Sequence, residues 1–205
     1  MPDPERTKPF VYLASQSPRR RELLRQIGVE FTTVAVEVDE TPLPAETPEA
    51  FVQRLALDKA RAARPLVPRD GLVLGADTAV IVGERILGKP VGREEALGML
   101  AALSGATHRV VTGVALVGSD REAVRMSDTR VTFRGLTVTE CERYWASGEP
   151  QDKAGSYAIQ GLAAQFVTRI DGSHSGVVGL PLYETGELLS EFGIKLLEPP
   201  YSVVG

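Results

Sequence analysis

Leu72-Val73-Leu74-Gly75-Ala76-Asp77-Thr78-Ala79-Val80-Ile81-Val82 reads as one long, nearly continuous buried strand interrupted by a single carboxylate. Asp77 is conspicuous there, because a lone charged carboxylate in an apolar strand costs roughly several kcal/mol unless it meets a cation, a metal or a set of donors. The next residues, Gly83-Glu84, suit a two-residue hairpin turn. Pairing Val82 with Arg85 then brings Lys89 opposite Thr78, one position from Asp77, before Gly88 and Pro90 end the second strand.

Upstream, Thr47-Pro48 is a cap-then-proline signal that predicts a helix to about Ala63, closed by Pro65. Phe51, Leu55 and Lys59 fall at i, i+4 and i+8, so Lys59 lies on the stripe that should face the core, unless its stem snorkels past the last turn. Earlier still, residues 10–14 read as a strand and Ser15-Gln16-Ser17-Pro18-Arg19-Arg20-Arg21 as a junction into a helix. Ser17 is the N-cap, Pro18 the first helical residue, and the helix runs to about Ile27 with Gly28 beyond it. Three arginines in the first turn sit at the positive end of the helix dipole, where a cation is disfavoured by roughly 0.3 to 1 kcal/mol. A phosphate held by the free amides and guanidinium forks would reverse that sign. A basic, solvated helix start is the other reading, and these residues alone leave both open.

The remaining pattern alternates strand and helix. Residues 31–36 read as a strand leading into the acidic run Glu37-Val38-Asp39-Glu40, which Thr41-Pro42-Leu43-Pro44 breaks. A helix over 93–103 stops at Gly105, and strands follow over 107–117 and 127–133. Thr137 and Glu140 form a capping-box signature for a helix to about Ser147. Residues 152–161, small and glycine-punctuated, look like a binding loop. Residues 166–170 and Val177-Val178-Gly179-Leu180 are strand candidates, and Pro181 opens a last helix ending near Phe192. Periodicity thus supports an α/β class. Residues 1–8 are expected to be a disordered head and residues 197–205 a loose tail.

The chain has 205 residues, 43% hydrophobic and 24% charged, values of a globular protein with a substantial core. Its net charge of −4 makes the arginine cluster a local feature and argues against general nucleic-acid binding. Cys141 is the only cysteine, so no intrachain disulfide and no CxxC metal motif can form, which fits a reducing compartment. No apolar run approaches a membrane span and no apolar signal region opens the chain, so we expect a cytoplasmic protein. No P-loop or G-x-G-x-x-G motif occurs. His108 and His174 are isolated, and read as surface or hydrogen-bonded residues, not as metal ligands.

Seven segments in order carry a resemblance: 13–20 around Ser15-Gln16-Ser17-Pro18-Arg19-Arg20, Val38-Asp39-Glu40, 55–60 with Lys59, Gly75-Ala76-Asp77-Thr78, Gly88-Lys89-Pro90, Asp152-Lys153-Ala154-Gly155-Ser156-Tyr157 and 177–181. Together they resemble the Maf family of nucleoside triphosphate pyrophosphatases, once described as septum-formation inhibitors, over nearly the whole chain. The resemblance implies one domain with a mixed, curved sheet flanked by helices in two lobes, similar to inosine triphosphate pyrophosphatases, with the site in the cleft between them. It implies hydrolysis between the α and β phosphates. Asp77 matches the proton acceptor; Ser15, Arg19, Arg20, Lys59 and Lys89 match positions around the phosphates, and Ser17 and Lys153 lie in the matching motifs. Glu40, with Asp77 as a second ligand, matches a divalent-cation site for Mg²⁺, with Mn²⁺ as the other choice. The family often forms homodimers.

Arg19, Thr78 and Gln160 match the branch that looks like a dTTP and UTP pyrophosphatase. The branch acting on 7-methyl-GTP tends to carry an aromatic residue, glutamine and glutamate there. A glutamine amide offers a donor and an acceptor to the mixed edge of uracil or thymine, whereas glutamate offers acceptors only. Gln16 and Ala158 depart from the pattern, each standing where glycine is common. The alternatives are the same reaction on 7-methyl-GTP or another non-standard nucleotide, and a non-catalytic regulator of septation.

Overall fold

The computed structural model describes residues 9–196; the head and the tail beyond Leu196 lie outside the described residues. In chain order the main elements are β1 (Val11–Leu13), α1 (Pro18–Gln26), β2 (Phe31–Thr33), α2 (Pro48–Ala63), β3 (Leu72–Val82), β4 (Arg85–Leu87) and α3 (Arg93–Leu103). There follow β5 (Thr107–Val117), β6 (Glu122–Phe133), α4 (Val138–Ala146), β7 (Val167–Asp171), α5 (His174–Val178) and α6 (Leu182–Glu191). The strands form one seven-stranded mixed sheet in the order β2-β1-β3-β5-β6-β7, with β4 also paired to β3. Strand β1 runs parallel to β2 and β3, and the other pairs are antiparallel.

Strand β3 is apolar at both parities because both of its faces are covered. Leu74, Ala76 and Val80 join the larger core with Leu24 of α1, Leu100 of α3 and Leu188 of α6. Val73 on the opposite face packs with Ala56 and Ala60 of α2, and Ala79 and Ile81 pack with Val52 and Leu55 of the same helix. The side-chain alternation of a strand therefore sends Asp77 toward α2 and Thr78 toward the other side.

Two glycines set how closely α2 approaches. A Cβ on Gly75 would stand 2.1 Å from the Ala56 carbonyl oxygen, and one on Gly113, the residue paired with Asp77, 2.5 Å from that of Val52. The helix backbone thus rests directly on the sheet at both positions, on either side of Asp77.

The helix expected over 48–63, the strands over 72–82 and 107–117 and the helix over 93–103 are observed at those bounds. The capping box of Thr137 and Glu140 is formed. The strand expected over 31–36 is shorter, ending at Thr33, and the one expected from Ser127 begins at Glu122. The strand expected over Val177-Val178-Gly179-Leu180 is not one: Ser173 caps a short helix, accepting from the Gly176 amide, and Gly179 at φ 129° ends it. Two β-branched valines pointed to a strand, but the local cap and the glycine stop decide the conformation.

Candidate active site

The site sits where β3 lacks a neighbour. One edge of β3 is paired by β5 along Val73 to Ile81, but the other is paired by β1 only at Leu72 to Leu74 and by β4 only at Val80 to Val82. Residues 75–79 form an open edge between them. The chain leaving β1 turns there into α1, and the chain leaving β4 runs out to Lys89, so the gap becomes a cleft of about 870 Å³. A parallel strand end followed by a helix N-terminus is a recurrent place for ligands. Ser15, Ser17, Arg19 and Arg20 line the β1 side, Lys89, Lys153 and Gln160 the other, with Glu40, Lys59, Asp77 and Thr78 between. The expected two-lobe arrangement thus takes the form of one continuous sheet split along an edge. Five cationic side chains and three carboxylates line the cleft, an excess of positive charge on a chain of net charge −4.

Lys59 does face inward. Its Nζ lies 2.7 Å from Oδ1 of Asp77 and 2.6 Å from Oε1 of Glu40. The close seating of α2 on Gly75 and Gly113 brings the ammonium onto the strand carboxylate, which is the compensation that Asp77 requires. Oδ2 of Asp77 and Oε2 of Glu40 make no hydrogen bond among the described residues. Burial pushes the Glu40 carboxyl up, but the hydrogen bond and charge of Lys59, with Lys89 and Arg20, outweigh it and hold the group below its ordinary pKa.

The arginines at the start of α1 find their counter-charge at the end of α5. Nε of Arg20 donates to the Gly179 carbonyl at 2.7 Å and Nε of Arg19 to that of Val178 at 3.3 Å. These are the last carbonyls of a short helix, so two cations misplaced on their own helix are well placed on another's C-terminus. The rest of the Arg20 fork reaches Ser15 Oγ at 3.4 Å and Thr78 Oγ1 at 3.3 Å. Burial lowers the pKa of Arg19 and of Arg20, opposed by Asp152 and by Asp77 respectively. Arg21 lies outside the cleft lining.

The other expected residues are placed as follows. Ser17 Oγ caps α1 by accepting from the Arg20 amide, and its own amide donates to Ser15 Oγ at 3.2 Å. Thr78 Oγ1 is hydrogen-bonded to Thr112 Oγ1 at 3.0 Å as well as to Arg20, and Thr112 donates to the Gly176 carbonyl at 2.7 Å. The register of β4 is Val82 with Arg85, as expected; Lys89 lies two residues past the last paired residue, Leu87, and makes no hydrogen bond among the described residues. Lys153 donates to the Glu149 carbonyl at 3.3 Å and pairs with Asp152. Gln160 is exposed in the cleft wall. Within the segment 152–161, Ala154–Ser156 form a short 3₁₀ turn and a further turn spans 159–161, with Gly155 at φ 69° against Val80 and its amide bonded to Gly88.

Sequence reading missed Thr112, which backs Thr78, and Glu149, whose carbonyl accepts from Lys153; Asp152 it placed in the binding loop without a role. Thr112 is the one polar side chain in the apolar stretch 110–117, the same signal that exposed Asp77. His108 is buried and hydrogen-bonded to Tyr157 at 2.8 Å, and His174 is exposed, as expected of residues with no ligand role.

Residues 10–192 match the family described as Maf-like protein. The chain belongs to the Maf family. Among Maf relatives, a protein of Alkalilimnicola ehrlichii named dTTP/UTP pyrophosphatase is 57% identical over 91% of this chain and 95% of its own. One of Pseudoalteromonas atlantica with the same name is 54% identical over 90% and 98%. Among solved structures, protein VC0702 from Vibrio cholerae aligns over 91% of this Maf chain and 96% of its own, at 13% identity and a TM-score of 0.43, too remote to bear on function.

Proposed function

We propose that this Maf protein hydrolyses dTTP and UTP, and modified pyrimidine nucleoside triphosphates, to the monophosphate and pyrophosphate, clearing the nucleotide pool. The observation that carries the reading is the convergence of Asp77 with Lys59, Arg20, Arg19 and Lys89 in one cleft of a size that suits a nucleotide. The names of relatives that are more than half identical over nine-tenths of the chain support the same substrates.

In this reading the triphosphate lies along the cationic wall. Asp77, anchored through Oδ1 by Lys59, takes a proton from water at Oδ2 while the water oxygen attacks the α-phosphorus. The bond from the α-phosphorus to the bridging oxygen breaks, and its electron pair leaves with pyrophosphate, whose charge Arg20, Lys59 and Lys89 offset. Arg20 arrives with its fork already fixed by Gly179, Ser15 and Thr78, so little ordering is left for the moment of reaction. Arg19, Thr78 and Gln160 select the base.

Glu40 and Asp77 suit a divalent cation. Glu40 keeps one carboxylate oxygen clear of Lys59, and the Asp77 carboxylate, with about four lone-pair sites, can hold a cation without giving up the site at Oδ2 that takes the proton; Mg²⁺ is usually held by one or two carboxylates with substrate phosphates and water. Bound there, Mg²⁺ would neutralise phosphate charge and polarise the reacting group. Carboxylate oxygens with phosphate and water as the other ligands suit Mg²⁺ first and Mn²⁺ second.

No helix among the described residues is long and apolar enough to cross a membrane. The reading carries with it a cytoplasmic location and a homodimer, the latter checked by light scattering. A nucleotide panel scored by pyrophosphate release, with and without EDTA, tests the reaction. Turnover of dTTP and UTP above the other nucleotides, abolished by EDTA and restored by Mg²⁺, is expected. Faster turnover of 7-methyl-GTP would overturn the specificity, and no pyrophosphate from any nucleotide would overturn the reaction.

A further inference from the structure

Gln160 stands in the cleft wall with no hydrogen bond of its own among the described residues, so where its amide points is set by the backbone that carries it. That backbone is held from behind by two side chains. Oε2 of Glu149 accepts from the Leu162 amide at 2.9 Å, and Oε1 accepts from the Ala163 amide at 3.4 Å and from the Tyr144 hydroxyl at 2.7 Å. The Tyr144 oxygen in turn accepts from the Ala158 amide at 3.1 Å. Amides two residues before Gln160 and two and three after it thus end on one phenol-carboxylate pair.

The fit leaves little slack. Leu162 and Ala163 open a 3₁₀ helix whose first amides have no partner within it, and Glu149 supplies one from another part of the chain. Gly161 lies against that carboxylate, where a Cβ would come within 2.1 Å of Oε2. Tyr144 is buried, and burial with the Glu149 hydrogen bond pushes its phenol well up, so it remains a donor across the neutral range. Tyr144 comes from α4 and Glu149 from the turn after it, so the clamp ties the loop to the helical layer and not to the phosphate side of the cleft.

We infer that Tyr144 and Glu149 are positioning residues for base selection: they clamp the arc 158–163 so that Gln160 presents its amide to the base in one orientation. The inference rests on the proposed pyrimidine triphosphate reaction. Neither residue lines the cleft. Of the arc they hold, Ala158, Ile159 and Gln160 line the cleft, and only Gln160 carries a polar side chain, so their effect on base choice is exerted through Gln160.

The chemistry prescribes the variants. Three donors converge on the Glu149 carboxylate, which is acceptor-only; Glu149→Gln keeps the shape but turns an NH₂ toward an amide N–H or a hydroxyl. Tyr144→Phe keeps the ring and leaves the Ala158 amide without its partner. For both variants the expected result is a rise in KM for UTP of about tenfold, the scale of losing one charge-assisted hydrogen bond, with a much smaller change in kcat. The ratio of kcat/KM for UTP over CTP falls by a similar factor, and amide exchange at 158, 162 and 163 speeds up without nucleotide.

A double-mutant cycle separates positioning from general weakening. In a Gln160→Ala background, Glu149→Gln should change the UTP to CTP ratio no further; a merely structural role would leave the two effects additive. Folded variants with unaltered KM and ratio, additive effects in the cycle, or a loss confined to kcat would each overturn the inference. Should the unaltered protein release no pyrophosphate from UTP or dTTP, the proposed function itself would fall.

Discussion

Nε of Arg20 donates to the carbonyl of Gly179 at 2.7 Å, joining the first turn of α1 to the residue that caps the end of α5. That contact explains how a run of arginines survives at the positive end of a helix: the negative end of a second helix receives it. It also fixes the guanidinium plane, leaving the other nitrogens to reach Ser15 and Thr78. Arg20→Lys keeps the charge but loses the fork, so kcat/KM for UTP should fall on the order of 100-fold. Steady-state pyrophosphate release checks this, and a change under threefold would contradict it.

Asp77 and Lys59 make a second pair whose halves are not equivalent. Lys59 is shared with Glu40, so Asp77→Asn leaves the ammonium partnered, whereas Lys59→Met takes the hydrogen-bonded cation from the buried Asp77 carboxylate. Asp77→Asn should lower kcat between about 100- and 10,000-fold while nucleotide still binds. Lys59→Met should also cost about 3 kcal/mol of stability, more than Asp77→Asn does. Urea unfolding and nucleotide calorimetry measure the two effects separately.

Gly75 makes no contact with substrate in the proposed reaction, yet the site depends on it. Gly75→Ala would set a Cβ 2.1 Å from the Ala56 carbonyl, backbone that cannot turn aside. We expect a loss of about 3 kcal/mol or more from overpacking. Activity should fall with it, since lifting α2 draws Lys59 from Asp77. A urea midpoint equal to that of the unaltered protein would refute this.

His108 carries a pH signature. Burial depresses its pKa from 6.5 to about 4, and its Nδ1 is buried without a partner among the described residues. Between those values the unfolded chain binds a proton that the folded one refuses, so stability falls as pH drops from about 6.5 to 4, by roughly 3 kcal/mol in all. The carboxylate of Glu140, held to about 2 by Arg134 and by the Thr137 amide and hydroxyl, loses its contribution in a lower window, below its ordinary 4.5. His108→Phe should flatten the upper window and leave the lower one, as read from urea unfolding across about pH 2 to 7. An unchanged slope above pH 4.5 would count against the buried neutral imidazole.

Much of this molecule is written locally. The bounds of α2, β3, α3 and β5 follow from caps, prolines, glycine stops and apolar runs, because those signals act within one helical turn or one strand. Asp77 and Lys59 were legible for a related reason: a charge at an apolar position is an imbalance that something must compensate. The misread stretch at 177–180 shows the converse, since valines favour a strand only where a sheet accepts them. The sequence by itself determined most of the elements, the residues in need of partners and the family. Tertiary structure alone decided the partners: Lys59 for Asp77, the α5 carbonyls for Arg19 and Arg20, Glu149 for the loop around Gln160. The physical reason is that hydrogen bonds and ion pairs depend on distances of about 3 Å, and those distances between remote residues are set by how closely a helix can seat on a glycine.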